Sequence, residues 1–172
     1  YLEFFPNIEI CKLPDIYPAG DEVILTYEVT GRVVPPGAIP LAVGVTVLNV
    51  ETVYNLYRAL NGRPVTRKYI TIAGEVETPV TVRVPIGVTI GEILPLAGNI
   101  TTEDPAFIIG GPMMGSLGSR ANIVTKTTNA VLVLPSSHSL IRKRQGKTFI
   151  DMKRAMAACC QCSYCTSLCS RN

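Results

Sequence analysis

The chain has 172 residues, a formal net charge of +3, 47% hydrophobic and 6% aromatic residues, and no tryptophan. This charge is too small to indicate a nucleic-acid partner. No run of about 18 apolar residues predicts a transmembrane helix, and no basic segment followed by an apolar one predicts a secretory signal. The abundance of Val, Ile, Gly and Pro predicts short strands and tight turns.

The first third predicts two helices between irregular segments. Alternation over residues 8–13 predicts a strand. Asp21 is a suitable N-cap for a short helix that ends at Gly31. A Pro- and Gly-rich stretch follows, in which residues 45–48 could form a short buried strand. Asn49 is expected to cap a second helix, which Gly62 closes. Its predicted apolar face carries the following residues: Val50, Val53, Leu56, Tyr57 and Leu60.

Residues 65–135 predict a small β-rich domain. Strands are expected at 68–73, 80–84, 106–109, 123–126 and 130–134. Thr89 is expected to cap one short helix, with Glu92 in its first turn and Pro95 limiting its length. Two strands, a helix and further strands indicate a β-grasp fold, in which one helix lies across a mixed sheet. A β-sandwich is the alternative, but too few strands are available for one.

A glycine-rich loop over residues 110–115 follows the third strand of this domain. The favoured interpretation is a tight loop whose two methionines, Met113 and Met114, pack in the core. The alternative is a loop that faces a flavin or iron–sulfur domain, since flexible methionines suit a flat partner.

The last stretch combines basic residues with cysteines. His138, the only histidine, has no neighbouring ligand and is expected at the surface. The basic residues between 142 and 154 favour a solvated face, with docking of an acidic electron carrier as the alternative. A helix over residues 149–158, capped by Thr148, would deliver Cys159 to whatever the following cysteines bind.

Four cysteines have the spacing C-x2-C-x2-C-x3-C: Cys159, Cys162, Cys165 and Cys169. This is the ligand pattern of bacterial ferredoxins, in which the fourth cysteine binds the other of two clusters. Clustering of five of the six cysteines argues against a disulfide framework. Zinc is the competing metal, but structural zinc sites normally separate their ligands into two pairs. Cys160 lies outside the spacing.

The half-complete pattern and a first residue other than Met predict that the chain is an internal piece of a longer protein. By itself, such a piece is expected to be inactive. The cysteine segment is likewise expected to lack a cluster when it is separated from its partner motif.

Two segments resemble the FMN-carrying, NADH-oxidising subunit of respiratory complex I. The turn from Tyr17 to Glu22 resembles that family's tyrosine–glycine–acid–acid turn, and residues 49–52 resemble its asparagine–valine–glutamate–threonine turn. The resemblance implies that the first turn faces the isoalloxazine and nicotinamide rings. It implies that the second lies near the flavin ring or phosphate. The implied cofactor-binding residues are Tyr17, Gly20, Asp21, Glu22, Asn49 and Thr52. No catalytic residue is assigned.

The order of these features resembles the C subunit of Rnf-type electron transport complexes. It resembles still more the flavin and iron–sulfur cobalamin reductases of bacterial propanediol-utilisation microcompartments. This resemblance implies an α+β architecture with three parts: residues 1–64 from a partial α/β flavin domain, 65–135 forming a β-grasp domain of the soluble ligand-binding type, and 136–172 starting a ferredoxin-like helical module.

The implied activity of the intact protein is reduction of a corrinoid by NADH through FMN and two [4Fe–4S] clusters. The expected partners are corrinoid-handling or diol dehydratase-linked microcompartment proteins, or membrane electron-transfer subunits in an Rnf-type complex. The expected location is the cytoplasm, with the inside of a microcompartment as one option. A rival of another class is a β-grasp ligand- or partner-binding module with a structural zinc site.

Overall fold

The computed structural model describes residues 5–16, 18–146 and 148–168. The described residues divide into two units, which we treat separately. One comprises the residues up to Val50 together with those from Cys159 onward, and the other comprises Glu51–Ala158. The chain is thus α+β, as predicted, with all of the described strands in the second unit.

Helix α1 (Glu22–Thr30) and a 3-10 turn (Pro40–Val43) give the first unit its regular structure up to Val50. The side chain of Asp21 accepts a hydrogen bond of 3.0 Å from the backbone N–H of Val23, so the predicted N-cap is confirmed. Gly31 ends α1 with a φ of 70°, a left-handed conformation that glycine adopts without steric penalty. The strands predicted at 8–13 and 45–48 are wrong, because neither segment pairs with a strand among the described residues.

The sheet in the second unit has five strands: β1 (Arg67–Gly74), β2 (Val80–Pro85), β3 (Pro105–Ile109), β4 (Ser116–Gly118) and β5 (Ala130–Pro135). Their order is β2-β1-β5-β3-β4. Strands β1 and β5 run parallel, and all other pairs in the sheet are antiparallel. With a helix between β2 and β3, this is the predicted β-grasp arrangement.

The core lies on one face of this sheet. In β1, Lys68, Ile70 and Ile72 alternate inward, as expected for a strand with one buried face. Gly74 ends the strand with a φ of 98°, where an added Cβ would collide with the carbonyl oxygen of Val133. The completely buried members of the main apolar cluster are Ile70, Ile72, Ile90, Ala97, Val124, Val131 and Val133.

A short helix, α3 (Ile90–Ile93), continues into a 3-10 turn (Leu94–Ala97) and contributes much of the rest of the core. The Thr89 hydroxyl accepts a hydrogen bond from the N–H of Glu92, and the Glu92 carboxylate accepts one of 2.8 Å from the N–H of Thr89. This reciprocal capping box confirms the predicted helix start. Pro95 occupies the first turn of the 3-10 segment, which agrees with the short helix predicted here.

Removal of this cap should have a measurable cost. Thr89→Ala is expected to lower the free energy of unfolding by about 1 kcal/mol, because two backbone donors lose their ordered partners. Urea denaturation measures this difference. Thr127→Ala is the control, since the Thr127 hydroxyl bonds another loop hydroxyl, that of Thr125, and caps no helix. Equal effects of the two substitutions would contradict the account of the cap.

Two predictions for the edge of the sheet fail. Residues 123–126 were expected to form a strand, but only Ile123 makes a bridge, to Thr89. Val124 inserts completely into the core between turns, which explains the apolar pattern without a strand. Strand β4 was not predicted, because its three residues are too few to show alternation.

The remaining helices lie before and after the sheet in sequence. Helix α2 (Val50–Leu60) precedes the sheet, and α4 (Ser139–Gln145), α5 (Thr148–Ala158) and α6 (Tyr164–Ser167) follow it. No helix among the described residues is long and apolar enough to cross a membrane. His138 is half-buried and caps α4, since its Nδ1 accepts a hydrogen bond from the N–H of Leu140 at 3.2 Å.

Candidate cofactor sites

The first candidate flavin turn leads directly into α1. The N–H of Asp21 donates to the carbonyl of Pro18 at 2.8 Å, which closes a turn around the exposed Gly20. Glu22 is the first helical residue and is exposed. Tyr17 lies outside the described residues. The local structure therefore places Gly20, Asp21 and Glu22 side by side at one helix start.

Glu22 also lines an open cavity of about 330 Å³. The other walls come from the 3-10 turn and from the extended residues that follow it: Ile39, Pro40, Leu41, Val45, Thr46 and Val47. A second cavity of about 260 Å³ shares the segment from Val45 to Val47 and lies along α1. Apolar walls with a carboxylate at one side suit part of a planar ring, and the first volume falls at the lower end for ligand sites.

The second candidate flavin turn straddles the division between the two units. Asn49 is exposed and directly precedes α2, whereas Thr52 is exposed in the first turn of that helix. Asn49 and Thr52 therefore belong to different units. The helix predicted after Asn49 is confirmed, and Gly62 closes it with a φ of 68°.

Glu51, between the two candidate flavin residues, was missed as a functional position. Its carboxylate forms an ion pair of 2.5 Å with Lys68 and accepts the N–H of Tyr69 at 3.0 Å. The side chains of Lys68 and Glu51 are only 9% and 14% exposed. Burial opposes ionisation, but the hydrogen bonds from Lys68 and Tyr69 and the charge of Lys68 outweigh it, so the pKa of Glu51 is lowered. Only a contact between distant residues reveals this role.

The glycine-rich loop differs from its favoured interpretation. Met113 and Met114 are 65% and 94% exposed, so the prediction that they pack in the core is wrong. Arg144 of α4 holds the loop instead. Its guanidinium donates to the carbonyls of Gly115 at 2.9 Å, Pro112 at 2.7 Å and Met113 at 3.3 Å. Bonds to these carbonyls fix the loop backbone while its methionines face outward.

Arg144→Ala is expected to loosen this loop selectively. Three charge-assisted hydrogen bonds are lost, so amide exchange of residues 111–115 should accelerate about tenfold or more. Hydrogen exchange with mass spectrometry measures the effect. Arg142→Ala is the matched control on the same helix, since Arg142 bonds the carbonyl of Ser137 and not the loop. Unchanged exchange in the loop of the Arg144 variant would contradict this role.

The cysteine run begins where α5 ends, at Ala158, as predicted. Cys159, Cys160, Cys162 and Cys165 are exposed, and Cys165 lies in α6. Cys169 lies outside the described residues. Gln161 and Ser163 adopt positive φ values of 55° and 58°, so the chain turns sharply on both sides of Cys162.

The thiols suit a metal chemically but are not gathered for one. Hydrogen bonds from the N–H of Tyr164 and from the thiol of Cys160 lower the pKa of Cys162. Thiolate is the form that binds iron or zinc. Within the described part of the chain, no three Cys, His, Asp or Glu side chains lie close enough together to hold a metal ion. The donor set thus fits a cluster, whereas its arrangement here is open.

Family comparisons identify both parts of the molecule. Residues 3–58 match the model of the Nuo51 FMN-binding domain, and residues 69–116 match that of the SLBB domain. The chain thus joins an FMN-binding-domain segment to an SLBB domain. All of the predicted flavin residues, from Tyr17 to Thr52, fall within the FMN-binding match.

Individual relatives narrow this class. The chain is 52% identical over 168 residues to cobalamin reductase PduS of Salmonella typhimurium, and 50% identical to that of Citrobacter freundii. It is 34% identical over 138 residues to a component of the Na(+)-translocating ferredoxin:NAD(+) oxidoreductase complex of Acetobacterium woodii, the Rnf-type C protein. The matches cover 96%, 96% and 78% of this chain, and 37%, 37% and 31% of those proteins. The predicted relationships to both groups are confirmed, and the chain spans about 37% of the length of the cobalamin reductases.

Proposed function

We propose that this chain is part of a flavin and iron–sulfur reductase that passes electrons from NADH to a corrinoid. The observation that carries the proposal is the identity of 52% to a cobalamin reductase across 96% of the chain. The match to the Rnf-type relative is weaker and covers less of the chain. That relative supports a second candidate, the electron-input subunit of a membrane electron transport complex.

The cysteine run would supply ligands to two [4Fe–4S] clusters. Cys159, Cys162 and Cys165 would bind one, and Cys169 would bind the other together with cysteines of a second motif in the intact protein. Cys160 has no place in this set. The exposed thiols and the sharp turns around Cys162 would let the segment wrap around a cluster as it assembles.

The flavin site would include Tyr17, Gly20, Asp21, Glu22, Asn49 and Thr52. Bound FMN accepts a hydride from NADH and releases single electrons, which is the conversion that one-electron clusters require. Asp21 would orient the start of α1 through its N-cap bond, and Glu22 would present its carboxylate to the cavity. As a segment of the larger protein, this chain would have no reductase activity by itself.

Glu22→Gln in the intact protein tests the flavin assignment. The substitution removes a charge at the cavity wall while keeping the side-chain shape, so NADH oxidation should slow about tenfold or more. Glu28→Gln on the same helix is the control, since Glu28 lines neither cavity along α1. Steady-state kinetics with an artificial electron acceptor measures both. Equal rates for the two variants would remove Glu22 from the site.

The domain boundaries proposed from sequence are 1–64, 65–135 and 136–172. The sheet and its core lie within the middle range. The proposed location is the cytoplasm, where corrinoid-handling or diol dehydratase-linked proteins of a microcompartment would be the partners. In the second candidate, the partners would be membrane electron-transfer subunits.

An anaerobic assay of the intact protein separates the two candidates. With FMN, NADH and a free corrinoid, we expect the corrinoid absorption spectrum to change to that of a more reduced cobalt. NADH oxidation that proceeds only when Rnf-type membranes are added, with no change in the corrinoid, would favour the second candidate. Absence of NADH oxidation under both conditions would overturn the proposal.

A further inference from the structure

Two arginines meet in a small cavity at the C-terminal end of α2. Tyr57, Arg58, Asn61 and Arg63 line this cavity, whose volume is about 170 Å³. All four side chains carry polar groups, and no acidic residue is among them. The cavity lies entirely within the unit of Glu51–Ala158. Neither the candidate flavin turns nor the cysteine run contributes to it.

Local hydrogen bonds hold the lining residues in one compact turn. The N–H of Arg63 donates to the carbonyl of Arg58 at 2.9 Å, and the side-chain amide of Asn61 donates to the carbonyl of Tyr57 at 2.8 Å. Gly62, in a left-handed conformation, lets the chain fold back over the helix end. The guanidinium carbon of Arg58 lies 5.9 Å from the ring centroid of Tyr54. The aromatic contact and the half-buried position of Arg58 restrict where this side chain can point.

Within the described ranges, neither arginine has a carboxylate partner. The ion pairs there join Lys68 to Glu51 and Arg154 to Asp151. The carbonyls of Tyr57, Arg58 and Ala59 already accept hydrogen bonds from residues 61–63. The helix end therefore leaves little acceptor capacity for the two guanidinium groups. Two unneutralised cations beside one cavity create a local field that favours an anion.

We propose that this cavity binds a phosphate group. A guanidinium presents paired N–H donors with a spacing that matches two oxygens of a phosphate. Arg58 and Arg63 would supply the charge and most of the donors, and the hydroxyl of Tyr57 and the amide of Asn61 would surround the oxyanion. The phosphate could be inorganic phosphate or the terminal group of a mononucleotide, since the chemistry recognised is the same.

Titration of the full chain with inorganic phosphate, AMP and, as a control anion, chloride tests the site. The readout is the set of backbone amide NMR shifts of residues 57–63. Saturable shifts with phosphate but not chloride are expected. Tighter binding of AMP would identify a nucleotide phosphate, and binding of phosphate alone would identify the free anion. No saturable shift with either probe would overturn the proposal.

Charge variants distinguish a built site from general attraction of anions. Arg58→Gln and Arg63→Gln should each weaken binding about tenfold, because each removes a charge-assisted contact. Arg83→Gln is the matched control. Arg83 also lies over a tyrosine ring, 5.8 Å from that of Tyr69, but lines no part of this cavity. Equal weakening by all three substitutions would overturn the proposal. Far-ultraviolet circular dichroism verifies folding, and Arg58→Lys, which keeps the charge and the aliphatic stem, should retain part of the affinity if the Gln variant unfolds.

Discussion

Glu51→Ala is expected to lower the free energy of unfolding by about 3 kcal/mol. The substitution leaves the ammonium of Lys68 buried without its partner, and removal of one member of a buried pair is strongly destabilising. It also removes the acceptor for the N–H of Tyr69. This part of β1 pairs with β2 but extends beyond its register with β5, so the Glu51 carboxylate satisfies a donor that no neighbouring strand covers.

Chemical denaturation of the single and double variants measures this effect. Asp151→Ala is the matched control, since its ion pair with Arg154 is exposed and 3.5 Å long. It should change stability by less than about 0.5 kcal/mol. Addition of Lys68→Met to Glu51→Ala should recover much of the loss, because no unpaired charge then remains. A loss for Glu51→Ala no larger than that for Asp151→Ala would contradict this account.

The same pair predicts a pH dependence. The folded-state pKa of Glu51 is lowered, so its contribution to stability is present above the ordinary carboxyl pKa and is lost as pH falls through the folded value. Glu51→Gln should therefore flatten the acid side of a plot of stability against pH. An unchanged acid profile would show that Glu51 is not ionised in the folded protein.

Cys162→Ser should prevent normal cluster assembly in the intact protein, whereas Cys160→Ser should leave it intact. Serine supplies no thiolate, and Cys162 is the central member of the three-cysteine run. Cys160 is its matched control, two residues away and equally exposed. Anaerobic reconstitution followed by iron analysis should show about half the iron in the Cys162 variant, since the other cluster uses different ligands. Equal iron contents in the two variants would contradict the proposed spacing.

Local signals predicted much of the fold. Asp21 and Thr89 accept hydrogen bonds within their own helix starts, so the residues that form the caps are neighbours in sequence. The alternation of Lys68, Ile70 and Ile72 reflects a strand with one buried face. Because these strands and one helix come in a fixed order, the β-grasp arrangement could also be predicted.

Contacts between distant residues could not be predicted in this way. Val124 is as apolar as a strand residue, but it fills the core from between two turns. Arg144 is one of several basic residues in its segment, and only the folded chain shows that it reaches the distant glycine-rich loop. Glu51 was overlooked between Asn49 and Thr52 because its partners lie on β1.

The candidate sites divide along the same line. Their residue types and spacing are visible in the sequence, and the resemblance to the cobalamin reductases and to the Rnf-type protein is confirmed by the relatives. The cavity beside Glu22 and the arginine cavity at the end of α2 depend on how the chain folds back on itself. Neither leaves a pattern that periodicity or spacing would detect.

Metal analysis of the intact protein after anaerobic purification tests the electron-transfer account most directly. We predict about eight iron atoms and an equal amount of acid-labile sulfide for two [4Fe–4S] clusters, with broad visible absorption that bleaches on reduction. Zinc bound by the cysteine run, without iron, sulfide or that absorption, would contradict the account. The molecule would then be a partner- or ligand-binding module with a structural metal.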